Sequence, residues 1–149
     1  MGISIIVHCR QCEYNAGDFT LGIGRRHTPE AVFYGGVYGF DRKKKKPMLA
    51  SLVKSWKIKK EAFDLITAGS IPDKQYGHEV YGCNHCKSLH GKFYFRIMAG
   101  EKIFEPEYKC PKCKKPLSCL NVPDRDCFQW PCLSCGNKEL AVHVRLCWD

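Results

Sequence analysis

Cys110-Pro-Lys-Cys113 and Cys132-Leu-Ser-Cys135, with eighteen residues between them, decide how this 149-residue chain is read. Two cysteines separated by two residues can turn both thiolates toward one ion on a tight knuckle. A returning hairpin then supplies a second pair and completes a tetrahedron. The same device recurs upstream as Cys9-Arg-Gln-Cys12 and Cys83-Asn-His-Cys86, so eight of the eleven cysteines fall into four matching pairs. Four thiolates around an ion leave no open coordination position, which marks a structural site and argues against hydrolysis. Two Zn2+ ions are therefore the expected cofactors. Iron in the same tetrahedral sulfur geometry is the rival.

Chain order suggests that Cys9, Cys12, Cys83 and Cys86 share one ion and that Cys110, Cys113, Cys132 and Cys135 share the other. A second pairing stays open. The 23 residues between Cys86 and Cys110 also let those two pairs close on each other, leaving the first and last pairs to meet. A redox dithiol would need a helix after the pair, whereas Lys114-Lys-Pro116 and Gly136-Asn137 suit turns. His8, His85 and His90 lie in or beside knuckles, but each set already has four thiolates, so they read as surface residues or as neighbours of the ligands. Cys119, Cys127 and Cys147 are left over, and read as buried free thiols in a reducing cytoplasm.

No apolar run approaches the roughly 18 residues needed to span a bilayer, so the expectation is a soluble chain with no membrane contact. Ile3 to Val7 lacks a basic lead and a cleavage pattern; it reads as a strand and not a signal peptide. The strand runs directly into Cys9. After the turn residues Tyr14-Asn-Ala-Gly-Asp18, Phe19, Leu21 and Ile23 alternate with Thr20, Gly22 and Gly24, which predicts a returning strand with the knuckle near the hairpin tip.

The net charge of +9 is concentrated. From Arg25 to Lys60 there are eleven cations against Glu30 and Asp41; the remaining 13 basic and 13 acidic residues cancel. Within this segment Thr28-Pro29-Glu30 starts a short helix, and Arg42 to Lys46 forms a cationic loop. Met48, Leu49, Leu52, Val53 and Trp56 then follow helical spacing, continued by Ala62, Phe63 and Ile66 up to Gly69. Whether this is one bent helix or two stays open. Ser70-Ile-Pro-Asp73 reads as a turn before an extended run through Glu79-Val-Tyr81 into Cys83. Further strands are expected over Lys92–Met98 and Lys102–Tyr108 around an Ala99-Gly100 turn. Leu117–Val122 and Cys127–Trp130 are expected to form a hairpin, and Leu140–Trp148 the last strand.

Cys110-Pro-Lys-Cys113-Lys-Lys-Pro-Leu117 and Cys132-Leu-Ser-Cys135-Gly136 resemble the knuckles of zinc ribbons, the group that includes rubredoxin-like and transcription-associated modules. The resemblance covers about a fifth of the chain. The order of a ribbon half, Phe19-Thr-Leu-Gly-Ile-Gly24, a helical segment and further pairs is also similar to small cysteine-rich bacterial proteins of uncharacterised function. This resemblance implies four-thiolate ligand sets on the named cysteines and carries over no activity. The chain departs from it in having glycine after the last pair only, with Lys114 at the matching place.

The expected architecture is thus α+β: zinc-ribbon-like β-hairpins carrying two four-cysteine metal sites, with a basic helical insertion. Residues 1–90 would form an N-terminal split ribbon with the insertion at 28–69, and 91–149 a C-terminal β-rich zinc ribbon. The expected function is non-enzymatic binding. Arg25, Arg26, Arg42, Lys43, Lys44, Lys45, Lys46, Lys54, Lys57, Lys59 and Lys60 would contact nucleic acid, with Phe33, Tyr34, Tyr38, Phe40 and Trp56 as stacking platforms. The bland alternative places Phe33 and Trp56 in the core and the lysines on a solvated face. Binding of an acidic protein partner, and electron transfer by rubredoxin-like iron, are the other functional readings. No oligomeric state follows from the sequence.

Overall fold

A computed structural model of the chain describes residues 2–35, 46–123 and 126–148. Strands β1 (Gly2–His8) and β2 (Asn15–Gly22) form the expected antiparallel hairpin around the Cys9 knuckle, paired from Gly2↔Gly22 to His8↔Asn15, but the residues Tyr14–Asp18 read as a turn are strand from Asn15 on, because they pair with the end of β1. Ile5, Val7, Phe19 and Leu21 point into one core because side chains alternate along a strand. β3 (Ile71–Gly82), β4 (Leu89–Ala99), β5 (Lys102–Phe104), β6 (Ser118–Cys119), β7 (Asp126–Gln129) and β8 (Glu139–Trp148) follow. The sheet order is β5-β4-β3-β2-β1-β8-β7, with β6 on β3.

This architecture overturns the α+β expectation. Of the described residues 44% are strand and 16% helix, so an eight-stranded, mostly antiparallel sheet is the frame and the helices are minor. A single π-helical turn (Glu30–Tyr34), α1 (Leu49–Leu52) and α2 (Trp56–Thr67) are all the helix described. The apolar spacing through Trp56 does not form one helical face, because Val53 leaves the helix with extended φ −102° and ψ 118°. Ser55 then caps α2, its side chain accepting the Ile58 N–H. There are accordingly two helices, and Trp56, at the open end of the second, is 71% exposed while Leu49 and Val53 are buried. α2 buries Ile58 and Ala62 against the protein.

Other local expectations change too: the strand expected over Lys102–Tyr108 ends at Phe104. Ser70-Ile-Pro-Asp73 is not a turn: β3 already begins at Ile71, and Pro72 sits near the start of the strand, where its missing N–H is tolerated. The chain around Leu117–Val122 and Cys127–Trp130 does not close as one hairpin. β6 pairs with β3 through Tyr81↔Cys119 and Gly82↔Ser118, whereas β7 pairs with β8 from Asp126↔Val142 to Gln129↔Glu139. The expected cationic loop at Arg42 to Lys46 lies outside the described residues except for Lys46.

Two compact units result, each built from segments distant in sequence. The first comprises Met1–Ile23, His78–Lys92 and Glu107–Asp149; the second comprises Gly24–Gly77 and Phe93–Pro106. All four cysteine pairs belong to the first. Its core joins Ile5, Val7, Phe19, Leu21, Val80, Trp130, Leu140 and Val142. The second is held by aromatic packing, with Phe33 edge-on to Tyr76 at 5.3 Å and beside Phe95 at 6.0 Å. Arg96 bonds Glu105 and Gln75 on its exposed face.

In the first unit the alternation along β8 is interrupted. Its register with β1 shifts between Ser4↔Leu146 and Ile5↔Val144, so Arg145 has no partner position, as in a bulge. Leu146 is consequently exposed, although Leu140 and Val142 are buried. Elsewhere in the unit Trp130 packs against Gly82, its indole N–H donating to the Lys87 carbonyl at 2.8 Å. A Cβ on Gly82 would clash with the Trp130 ring, 2.6 Å from its Cζ2, and lie 2.9 Å from Leu120 Cδ1. Because Trp130 is buried and hydrogen-bonded, it has little room to yield. Gly82→Ala is predicted to destabilise the fold by about 1–3 kcal/mol through overpacking, measurable by urea denaturation of the metal-loaded protein. Unchanged stability would refute this packing account.

Candidate metal centres

Each Cys-x-x-Cys pair folds the same way. The N–H of the first cysteine donates to the carbonyl five residues on: Cys9 to Tyr14 at 2.8 Å, Cys83 to Ser88 at 2.9 Å, Cys110 to Lys115 at 2.8 Å and Cys132 to Asn137 at 2.7 Å. The residue after the second cysteine is left-handed in all four, with φ of 57° at Glu13, 57° at Lys87, 63° at Lys114 and 74° at Gly136. Only the last is glycine. The departure at Lys114 therefore leaves the knuckle intact, and the other three residues accept a backbone conformation that costs an L-residue roughly 1–2 kcal/mol. This turn aims both thiols of a pair the same way.

The four knuckles meet in two groups. Cys9, Cys12, Cys132 and Cys135 form one, and Cys83, Cys86, Cys110 and Cys113 the other, with the sulfur atoms of each group all within 4.8 Å of one another. The pairing favoured by chain order is thereby replaced by the nested one. Strand topology supplies the reason. β1 ends at His8, opposite Ala141 near the start of β8, so the Cys9 knuckle that follows meets the last knuckle. β3 ends at Gly82, opposite Ser118 of β6, which brings the Cys83 knuckle that follows against the Cys110 knuckle.

The donor geometry suits a metal ion. Sulfur separations are 3.7 Å for Cys9–Cys135, 3.6 Å for Cys12–Cys132, 3.3 Å for Cys83–Cys113 and 3.5 Å for Cys86–Cys110. Metal–sulfur bonds of about 2.3 Å in a tetrahedron place ligand sulfurs about 3.8 Å apart. A disulfide would need about 2.05 Å, and all eleven cysteines are free thiols. The described residues thus carry two four-cysteine sites able to hold two ions.

Electrostatics agree with the geometry. Burial pushes the Cys9 thiol up, yet N–H groups of Gln11 and Cys12 outweigh it and hold the thiol down to about 6. Burial likewise opposes ionisation of Cys110, but N–H groups of Cys113 and Lys112 and the Ser88 hydroxyl bring it to about 5. One thiol in each group goes the other way. The Lys115 N–H favours the Cys113 thiolate, but burial and the neighbouring cysteines push it up to about 11. At Cys135 the Asn137 N–H lowers and the Cys12 thiol, burial and Cys9 raise, leaving it at about 12. Four anionic sulfurs this close repel one another, and a bound dication removes that penalty.

The residues expected to bind nucleic acid do not converge in this way. Arg42, Lys43, Lys44 and Lys45 lie outside the described residues, as do Tyr38 and Phe40. Arg25, Arg26, Lys46, Lys54, Lys57 and Lys60 are exposed. Lys60 pairs with Asp64 at 2.7 Å, and Lys59 is half-buried and donates to the Ala50 carbonyl at 3.2 Å. Phe33 is a core residue at 1% exposure and cannot stack on a base. Nucleic-acid binding gains no support from this arrangement. The remaining cysteines are less buried than expected, with Cys119 and Cys127 half-buried and Cys147 exposed. Sequence reading missed Ser88, whose hydroxyl lies 3.0 Å from Cys86 Sγ. Its position two residues after the knuckle was the available signal.

The fold and the two cysteine tetrads define an antiparallel β-protein with two candidate metal centres. Comparisons with protein-family models, curated proteins and solved structures return no match. No helix among the described residues is long and apolar enough to cross a membrane.

The nested pairing has a direct stoichiometric consequence. Cys12→Ser combined with Cys132→Ser damages a single tetrad and is predicted to leave one tightly bound metal equivalent of two, by elemental analysis of the purified protein. Loss of both equivalents would support the sequential pairing instead.

Proposed function

We propose that the chain is a zinc protein in which both four-cysteine centres are structural and the biological role is binding, not catalysis. The observation that carries this reading is the pair of closed tetrads. Each presents four thiols at tetrahedral separations, so a metal would be fully ligated by the chain with no position for substrate. Zinc-ribbon character belongs to the same reading, supported by four knuckles of the same backbone form, two of which directly follow β1 and β3. Zinc would neutralise the crowded thiolates and fix the ends of β1, β3 and β8, supplying folding free energy to the first unit. The eight ligand thiols and the three free ones suit a reducing compartment such as the cytoplasm.

The excess charge of +9 points the binding role toward an anionic partner, an acidic protein or a nucleic acid. Lys54, Trp56 and Lys57 are exposed and close in sequence, and are the natural start of that surface. Retardation of mixed-sequence DNA or RNA at low salt would select nucleic acid. Its absence would leave the acidic protein.

Protein produced with zinc and iron both available should contain two zinc equivalents and absorb no visible light. A strong chelator should lower the melting temperature. Colour with stoichiometric iron would replace the structural reading by electron transfer, and a melt indifferent to chelation would overturn the structural role of the metal.

A further inference from the structure

The two tetrads are not equivalent. Ser88, 3% exposed, is the buried polar residue of the described core, and it lies against one tetrad only. Its hydroxyl oxygen is 3.0 Å from Cys86 Sγ, 3.6 Å from Cys110 Sγ and 2.9 Å from His90 Nε2. His90 Nε2 is itself 3.6 Å from Cys110 Sγ. A hydroxyl and an imidazole therefore cover the edge joining Cys86 and Cys110, whose sulfurs are 3.5 Å apart. At the corresponding place in the other tetrad stands Asn137, whose amide reaches Cys9 Sγ at 3.8 Å. That tetrad also leaves Cys135 exposed to water, while no cysteine of the Ser88 tetrad is exposed.

A thiol that binds metal gives up its proton and becomes an acceptor only. A serine hydroxyl can rotate its single proton toward such a sulfur while its oxygen accepts a bond from an imidazole N–H. The distances fit an Nε2–H of His90 donating to Ser88, which donates to Cys86. Charge-assisted bonds of this kind are stronger than neutral ones and grow stronger still in a dry site. They spread the excess negative charge of a four-thiolate centre without replacing a ligand. Donors placed behind metal ligands typically change metal affinity by about 10- to 100-fold when removed.

We propose that Ser88 and His90 are positioning residues of the Cys83/Cys86/Cys110/Cys113 centre, Ser88 donating its O–H to the Cys86 thiolate and His90 holding Ser88 in that orientation, and that together they make it the tighter of the two metal sites. The inference rests on reading the tetrads as metal sites. Neither residue ligates the ion. Both line a cavity of about 70 Å3 next to Trp130, so removing the hydroxyl also brings solvent closer to Cys86. For that reason the test separates the donated bond from simple packing.

Full-length protein carrying Cys132→Ser, which keeps only the Ser88 tetrad intact, is loaded with Co2+ and titrated with a chromophoric chelator. Ser88→Ala in this background should weaken Co2+ binding about 10- to 100-fold and shift the sulfur-to-cobalt charge-transfer band. His90→Gln, which keeps an N–H donor, should stay near the parent, whereas His90→Leu should follow Ser88→Ala. In the otherwise unaltered chain, the chelator should remove one equivalent well before the other. The proposal is overturned if Ser88→Ala binds Co2+ within twofold of its parent, or if the Leu and Gln variants at position 90 bind alike. Failure of the parent to take up Co2+ at all would instead sink the metal reading beneath it.

Discussion

Mutual repulsion among four close thiolates is the constraint on which the rest of this molecule depends. Sulfurs 3.3–3.7 Å apart cannot all ionise unaided, and the opposed shifts within each tetrad, Cys110 down to about 5 and Cys113 up to about 11, express that conflict. A cation at the centre of each tetrad would turn the conflict into attraction. The closures involved are long: Cys9 meets Cys135 across 126 positions, and Cys83 meets Cys113 across 30. Closure entropy grows only slowly with loop length, so the outer tetrad is not much costlier to close than the inner one.

Nesting also explains the sheet. The outer tetrad lies where β1 ends and β8 begins, and the inner tetrad where β3 meets β6. Each tetrad therefore joins strands that are far apart in the chain, and a bound metal would support the same topology as the backbone pairing. The second unit has no cysteine and relies on Phe33, Phe93, Phe95 and their neighbours. Two modes of stabilisation share one chain, one linked to the thiolate clusters and one built from packed aromatic rings.

The helical reading failed for a local reason. Met48, Leu49, Leu52, Val53 and Trp56 match a helical stripe, but the period cannot show that Val53 turns extended and that Ser55 caps a new helix. Leu49 and Val53 are buried as the stripe implied, so the pattern marked these core residues correctly and mistook the backbone between them. The charge pattern was similarly half informative. Lysines at 54 and 57 are exposed, while Lys59 and Lys60 are occupied by Ala50 and Asp64.

By itself the sequence determined the eight candidate ligands, because a two-residue spacing fixes the knuckle locally and needs nothing from the remainder of the fold. It also determined the hairpin of β1 and β2 and the existence of the last strand, where apolar alternation is a property of neighbouring residues, but not the register shift in β8 that exposes Leu146. Only the tertiary structure decided which knuckles come together in one tetrad. That choice follows from strand order in the sheet, and strand order is set by long-range pairing that no local spacing encodes. The same holds for Ser88 and His90. They stand two and four residues from the Cys86 knuckle, but their reach to Cys110 exists only because β3 and β6 bring two distant knuckles face to face.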